Sequence, residues 1–219
     1  DGGDTEASRD LFAMDTYMTV TAYGKGATEA VDQAADEISR LDQLLSTGNE
    51  DSEIYKINQS GDGILSEETA YLVERSLDLY EATDGAFDIA IYPVMKVWGF
   101  TDDNFRVPDA DELKDLLTLT DASDISYDKE TSQIVFKKDG MQIDFGGIAK
   151  GYTSARIMDI FRACGIKSGL VNLGGNVQAL GTKKDGSSWR VAVQDPQDTD
   201  QYLGVLSIQD KAVITSGGY

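Results

Sequence analysis

Residues 141–152, MQIDFGGIAKGY, bring an acid, paired glycines and a lysine together at short spacing. The alternating run 141–145 predicts a strand, and a helical pattern starts just after Gly146 and Gly147. Glycines in such a turn let backbone groups approach a ligand closely. A helix start offers unpaired N–H groups at the positive end of the helix dipole. A strand that carries Asp144 near its end and runs through two glycines into a helix is therefore a place to hold a phosphate or a metal.

The same stretch fits none of the common nucleotide motifs. Lys150 can add a point charge, and Asp144 can accept a hydrogen bond or bind a cation. The stretch is not a Walker A loop, because Gly151 follows the lysine where that loop has Ser or Thr, and it is not a G-x-G-x-x-G fingerprint. Residues 144–146 spell the kinase triplet DFG, but no catalytic loop precedes them. From the motif alone, ligand binding and a simple turn with packing both stay open.

The composition excludes several kinds of chemistry. The chain contains no histidine, which rules out Ser-His-Asp and Cys-His catalysis and His-based zinc sites within these 219 residues. The one cysteine, Cys164, cannot form an intramolecular disulfide and falls on the apolar side of a helical pattern. A net charge of -20 argues against DNA or RNA as a partner, because their phosphates would be repelled.

The elements around this stretch mix strands and helices without strict alternation, which predicts an α+β fold with mixed or antiparallel sheets and packed helices. Residues 1–10 are expected to be a flexible leader, and 11–219 one domain. The turn at 138–140 predicts a hairpin into the central strand. We predict strands at 12–22, 125–127, 133–137, 188–194, 202–209 and 212–215, helices at 27–45, 66–82, 109–119 and 148–164, an extended segment at 86–91, and a long loop with one short helical turn at 49–65.

Several separate segments, occurring in one order along nearly the whole chain, resemble the ApbE-type family of FAD:protein FMN transferases. These segments are Met14–Thr16, Leu44–Thr47, Asp51–Ile54 with Asn58, Thr83–Asp88, Pro93 with Trp98–Phe100, Asp144–Tyr152, Asn172–Asn176 and Thr215–Gly217. The resemblance implies a T-fold-like architecture and Mg²⁺-dependent chemistry on FAD. The family cleaves the FAD pyrophosphate and moves FMN onto a Ser or Thr hydroxyl of an acceptor flavoprotein. Some members instead hydrolyse FAD to FMN and AMP.

The resemblance also implies roles for particular residues, although it assigns no catalytic residue. Gly147 would offer its backbone carbonyl to Mg²⁺, and Asn172–Asn176 would form a loop that shapes the pocket. The residues implied to line or contact the FAD site are Met14, Ala86, Phe87, Asp88, Asp144 and Lys150.

Each of these side chains also has an ordinary structural interpretation. Met14 and Phe87 fit core packing, and Lys150 fits a solvated helix position. Asp88 and Asp144 are harder to explain this way, because an unpaired acid in apolar surroundings is costly.

Two departures from the family pattern affect the expected activity. Gly48 stands where some members carry an aromatic residue, and the family segments that follow TSG, including Mg²⁺ ligands, are not found. We therefore expect a chain that is incomplete at its C-terminus and inactive alone. An FAD pyrophosphatase and a non-catalytic extracytoplasmic FAD-binding protein stay open as alternatives. The resemblance implies an extracytoplasmic location with a lipid anchor in the full-length protein.

Overall fold

The computed structural model describes residues 6–216, which divide between two compact units. The terminal unit comprises the described residues up to Asp42 and from Lys150 onward, and the central unit comprises Gln43–Ala149. The helices are α1 Ala27–Leu45, α2 Glu53–Ser60, α3 Glu67–Ala82, α4 Tyr92–Val97, α5 Ala110–Leu117 and α6 Gly146–Ala163. The strands are β1 Glu6–Ala13, β2 Thr16–Tyr23, β3 Asp62–Ile64, β4 Ile125–Asp128, β5 Gln133–Phe136, β6 Ser168–Leu173, β7 Asn176–Gly181, β8 Trp189–Gln194, β9 Tyr202–Ile208 and β10 Ala212–Ile214.

The terminal unit is built on a five-stranded antiparallel sheet in the order β1-β2-β6-β7-β10, with β8 and β9 forming a separate antiparallel pair. Alternation along β2 turns one set of side chains inward, because successive side chains of a strand point to opposite faces. Those side chains form one buried cluster with the apolar stripe of α1 and with α6. The cluster includes Met18, Val20, Ala22, Val31, Ala34, Ile38, Ile157, Met158 and Phe161.

The central unit contains a three-stranded antiparallel sheet in the order β3-β5-β4 together with helices α2 to α5. Its fully buried side chains include Ile54, Leu72, Ile134, Ile143 and Phe145. The antiparallel pairing in both units confirms the predicted α+β class.

The predicted strand 12–22 is wrong as a single strand, because the chain reverses at Met14 and Asp15 to form the β1–β2 hairpin. Both residues have positive φ, 50° and 57°, as a two-residue turn between twisted strands requires. The sequence offers no Gly or Asn there, and Asp15 alone is a weak turn signal within an otherwise alternating run. The predicted leader is also wrong in part, because residues 6–10 belong to β1, whereas residues 1–5 lie outside the described residues.

The predicted strand 141–145 is extended but joins no sheet, so the predicted hairpin with the preceding strand is also wrong. The predicted alternation of buried side chains along this segment is confirmed, since Met141, Ile143 and Phe145 are buried. The backbone of Ile143 pairs with the side chain of Asn58 instead of with a neighbouring strand. A side-chain partner cannot be anticipated from periodicity.

Two other segments differ from prediction. The predicted loop 49–65 contains α2, which Ser52 caps by accepting the Tyr55 N–H at 2.9 Å, and the short strand β3. The predicted extended segment 86–91 ends in a 3₁₀ turn at Ile89–Ile91, which leads directly into α4. Short elements such as these span too few residues for a clear period.

The described residues form two compact units, and the single domain predicted over 11–219 stays a prediction. Gly217, the last residue of the Thr215–Gly217 motif, lies outside the described residues. Between residues 6 and 216, no helix has the length and apolar character needed to cross a membrane.

Candidate functional site

The start of α6 is organised by Asp144. Its carboxylate Oδ1 accepts the Gly146 N–H at 2.7 Å, and its own N–H donates to the Ile89 carbonyl at 2.9 Å. The Phe145 carbonyl accepts the next bonds of the helix, from Ile148 and Ala149. Such bonds satisfy the N–H groups that a helix start otherwise leaves unpaired.

The backbone N–H of Gly147 differs from those of its neighbours in this first turn. Within residues 6–216 its N–H has no protein acceptor, and the residue is exposed. The positive end of the helix dipole lies at the same point. The Gly147 N–H is therefore the donor of this turn that stays open to an anionic ligand atom.

The Phe87 ring lies against Gly147. A Cβ built on Gly147 would come within 2.8 Å of Phe87 Cε2, closer than a side chain can approach without displacing the ring. Phe87 is half-buried, and its N–H donates to the Thr83 hydroxyl at 2.9 Å. The central unit thus places an aromatic ring beside an open backbone donor, with Asp144 fixing the turn.

Asp88 holds two loops together. Its Oδ1 accepts the Ala90 N–H at 2.8 Å, and its Oδ2 accepts the Ala122 N–H at 3.1 Å. Burial raises the pKa of Asp88 above its ordinary value, although the two backbone hydrogen bonds oppose this shift. The implied contact of Asp88 with FAD stays a prediction, and the structure adds a positioning role. The neighbouring Ala86 is exposed.

In the terminal unit, Met14 occupies the strained turn between β1 and β2. Its N–H donates to Asp42 Oδ1 at 3.1 Å, and the Thr153 hydroxyl lies 3.8 Å from its sulfur. Met14 is partly buried and packs against the core cluster of the terminal unit. A non-glycine residue at φ 50° costs free energy and persists only where its surroundings hold it. The implied contact of Met14 with FAD stays a prediction.

Lys150 follows Gly147 by about one turn of α6 and is half-buried. The predicted site residues therefore fall into two groups. Ala86, Phe87, Asp88, Asp144 and Gly147 belong to the central unit, and Met14 and Lys150 belong to the terminal unit.

A second concave region lies within the terminal unit. A cavity of about 680 Å³ is lined on one side by the β6–β7 turn, where Gly175 donates its N–H to Asn172 Oδ1 at 2.9 Å. Gly174 has φ 63°, and a Cβ there would lie 2.2 Å from Thr16 Oγ1, so only glycine fits. The turn thus borders a cavity, and the implied role of Asn172–Asn176 in shaping the FAD pocket stays a prediction.

Sequence reasoning missed the partners that fix the site. Asp42 gave no signal, since it lies among ordinary polar positions of α1. Asn58 appeared in a family-like segment, but without a role. A usable signal was that Asn58 directly follows Ile57 on the apolar side of α2. A buried amide at that position needs hydrogen-bond partners.

Comparison with known proteins decides the family. The model of the ApbE family matches residues 14–219. The chain belongs to the ApbE family. An FAD:protein FMN transferase of Treponema pallidum is 33% identical over 235 residues, covering 98% of this chain and 65% of that protein.

Solved structures of ApbE proteins share the fold. The ApbE protein from Thermotoga maritima is 28% identical in sequence and superimposes with a TM-score of 0.91. The match covers 97% of this chain and 71% of the Thermotoga chain. The apo form of the flavinyl transferase ApbE from Pseudomonas stutzeri is 28% identical in sequence, with a TM-score of 0.85. The match covers 98% of this chain and 70% of the Pseudomonas chain. This ApbE-family chain spans less than two thirds of the length of the curated relatives it matches.

The Mg²⁺ expected for this family needs several hard oxygen ligands. Among residues 6–216 no group of three or more Asp, Glu, Cys or His side chains is arranged to hold a metal ion. The Gly147 carbonyl lies inside the first turn of α6, where a helix directs carbonyls along its axis. These residues alone therefore do not make up a ligand set for Mg²⁺.

Proposed function

We propose that this chain is the FAD-binding part of an FAD:protein FMN transferase, which cleaves the FAD diphosphate and attaches FMN to a Ser or Thr of an acceptor flavoprotein. Membership of the ApbE family and the names of its relatives support the class of reaction. The observation that carries the proposal for this chain is the open Gly147 N–H beside the Phe87 ring.

In this proposal each group has a physical task. The Gly147 N–H donates to an oxygen of the diphosphate, at the positive end of the α6 dipole. The Phe87 ring offers an apolar face to an aromatic ring of the nucleotide. Asp144 keeps the turn in place through its bond to Gly146. The position of Lys150 near FAD, which the resemblance implies, stays a prediction.

We further propose that the reaction depends on Mg²⁺. The protein carries a net charge of -20 and FAD carries a diphosphate, so counter-charge is required where the two meet. When bound, Mg²⁺ would neutralise charge that develops on the diphosphate oxygens. Because these residues supply no ligand set, we propose that the diphosphate and water provide most of the coordination.

Incubation of the full-length protein with FAD, Mg²⁺ and an acceptor flavoprotein tests the reaction. Flavin attached covalently to the acceptor, read by mass spectrometry, supports transfer, and free FMN with AMP supports FAD pyrophosphatase activity instead. Asp144→Ala removes the acceptor of the Gly146 N–H and is expected to weaken FAD binding, while the matched change Asp139→Ala in an exposed turn is expected to have no effect. Absence of FAD binding by the unaltered chain would refute the proposal.

Two observations favour a second candidate, a non-catalytic FAD-binding protein. Gly48 offers no aromatic side chain after α1, and the described residues contain no carboxylate cluster for a metal. In that case FAD binding survives EDTA, and neither FMN nor a modified acceptor forms. Binding that is lost with EDTA favours the transferase.

The location outside the cytoplasm, with a lipid anchor, is likewise a proposal that comes from the family resemblance alone. Fractionation of cells that produce the full-length protein tests it, since an anchored protein sediments with membranes and is released by detergent.

A further inference from the structure

Asn58 is the buried polar residue that substitutes for a neighbouring strand. It lies on α2 with 7% of its surface exposed. Its Nδ2 donates to the Ile143 carbonyl at 2.9 Å, and its Oδ1 accepts the Ile143 N–H at 2.7 Å. Both polar groups of the Ile143 backbone are thereby satisfied by one side chain from a distant part of the sequence. Buried backbone groups require such partners, because leaving them unpaired costs free energy.

Ile143 directly precedes the turn described above. The Asn58 amide holds the backbone at Ile143, and the Ile89 carbonyl holds the Asp144 N–H at 2.9 Å. These two anchors fix the direction in which the chain enters α6. They also fix where the Gly147 N–H points.

We propose that Asn58 is a positioning residue for FAD binding, which acts by holding the Asp144–Gly147 turn in place. The inference rests on the proposed function, since it assigns the turn to FAD. Asn58 itself does not contact FAD in this proposal. A small displacement of a binding group is enough to reduce affinity strongly, so the anchor matters although it lies behind the turn.

The substitution Asn58→Asp gives a reversible test of this role. A carboxylate has no donor for the Ile143 carbonyl and places a negative oxygen beside it, whereas a protonated carboxylic acid offers one donor and one acceptor, as the amide does. Burial raises the pKa of an introduced acid, so protonation is reached as pH falls below neutrality. The anchor should therefore be broken at pH 7.5 and restored near pH 5.

Other charged side chains also lie near this position. Asp62, Lys138 and Asp139 line the cavity that Asn58 also borders. They are the same in the unaltered protein and in the variant. The measured quantity is therefore the ratio of the two FAD dissociation constants at each pH, obtained from flavin fluorescence.

We expect Asn58→Asp to bind FAD about tenfold more weakly than the unaltered protein at pH 7.5, and the ratio to approach one near pH 5. Asn58→Leu, which removes both hydrogen bonds, should stay weak at both pH values. Gln59→Glu is the matched control, because Gln59 is the exposed neighbour on α2 and its change to an acid should leave the ratio near one at both pH values.

Amide hydrogen exchange at Ile143 gives a readout that does not depend on FAD. Its exchange should be faster in Asn58→Asp than in the unaltered protein at pH 7.5, and circular dichroism shows whether each variant is folded. A folded Asn58→Asp variant with unchanged FAD affinity at pH 7.5 would overturn the inference, and so would weak binding without recovery near pH 5. If the unaltered protein binds no FAD, the proposed function fails with this role, while exchange at Ile143 still reports whether the anchor exists.

Discussion

Gly147 is the residue at which one added methyl group should matter most. In Gly147→Ala the new Cβ would lie 2.8 Å from Phe87 Cε2, so the ring or the helix start must shift. We expect FAD affinity to fall about tenfold, because the Phe87 ring and the Gly147 N–H would no longer lie in the relative positions that FAD requires. Titration of the folded variant with FAD, followed by flavin fluorescence, measures this change.

Gly151 provides the matched control for Gly147. It lies one turn further along α6, and nothing stands within 4 Å of a Cβ built there. Gly151→Ala should leave FAD affinity unchanged and raise stability by about 0.5–1 kcal/mol, since alanine favours a helix interior over glycine. Equal affinity losses in both variants would show that the effect on Gly147 is not due to its contact with Phe87.

Met14 gives a second prediction at this scale. Its N–H is held by Asp42 Oδ1 at 3.1 Å while its backbone stays at φ 50°. Asp42→Ala should lower the free energy of unfolding by about 1 kcal/mol, because the bond that supports the strained turn is lost. Urea denaturation measures the loss. Asp36→Ala, an exposed acid on the same helix, should change stability by less than about 0.5 kcal/mol, and an equal loss there would contradict the assignment to Asp42.

Among the elements, α1 and α6 are linked by a charged contact in the terminal unit. Glu37 on α1 accepts hydrogen bonds from Arg40 at 2.8 Å and from Arg156 on α6 at 3.3 Å, and its side chain is 12% exposed. The hydrogen bonds from Arg40, supported by Arg156, lower the pKa of Glu37 below its ordinary value, although burial opposes the shift.

A lowered pKa in the folded state determines the sign of the pH dependence. The contribution of Glu37 is present above its ordinary pKa of 4.5 and is lost as pH falls through the lower pKa of the folded state. We expect Glu37→Gln to be less stable than the unaltered protein by about 0.5–1 kcal/mol at pH 7, with a gap that closes below pH 4.5. Urea denaturation at several pH values, with Asp36→Asn as control, measures it; a gap that widens on acidification would contradict this account.

A helix or strand is predicted well from the sequence when the residues that stabilise it lie within the same stretch of chain. The helices α1 and α6 correspond to the helices predicted at 27–45 and 148–164, and α5 corresponds to the one predicted at 109–119, where the Asp109 carboxylate accepts the Glu112 N–H at 2.8 Å. The strands β8 and β9 were likewise predicted, at 188–194 and 202–209. In these cases the signal and the structure lie within the same stretch of chain.

The segments that were mispredicted depend on distant side chains. Met14 turns the chain with the support of Asp42, and residues 141–145 are held by Asn58 instead of by a strand. Ser66 stands directly before α3, but its hydroxyl accepts no N–H of that helix and instead donates to Glu53 Oε2 at 2.7 Å. Because each partner lies far away in sequence, periodicity cannot reveal it. The candidate residues were therefore found by resemblance, whereas the contacts that position them required the structure.

The whole molecule carries a net charge of -20, which should oppose the approach of any anionic ligand. We expect the association rate constant for FAD to rise as salt increases from 20 to 200 mM, because ions screen the repulsion over shorter distances (about 10 Å at 0.1 M). Stopped-flow fluorescence measures this rate. Riboflavin, which lacks the phosphates, is the control ligand and should show little dependence on salt. A rate for FAD that falls with salt would indicate a local positive field that outweighs the net charge.

The most direct test is an NMR titration of the protein labelled with ¹⁵N-glycine, in which the Gly147 signal is assigned by its loss in Gly147→Ala. If the open donor at the start of α6 receives FAD, the Gly147 amide resonance shifts with the same dissociation constant that flavin fluorescence gives, while the Gly151 resonance moves little. Saturable FAD binding with an unmoved Gly147 resonance would contradict the assignment of this turn as the nucleotide site.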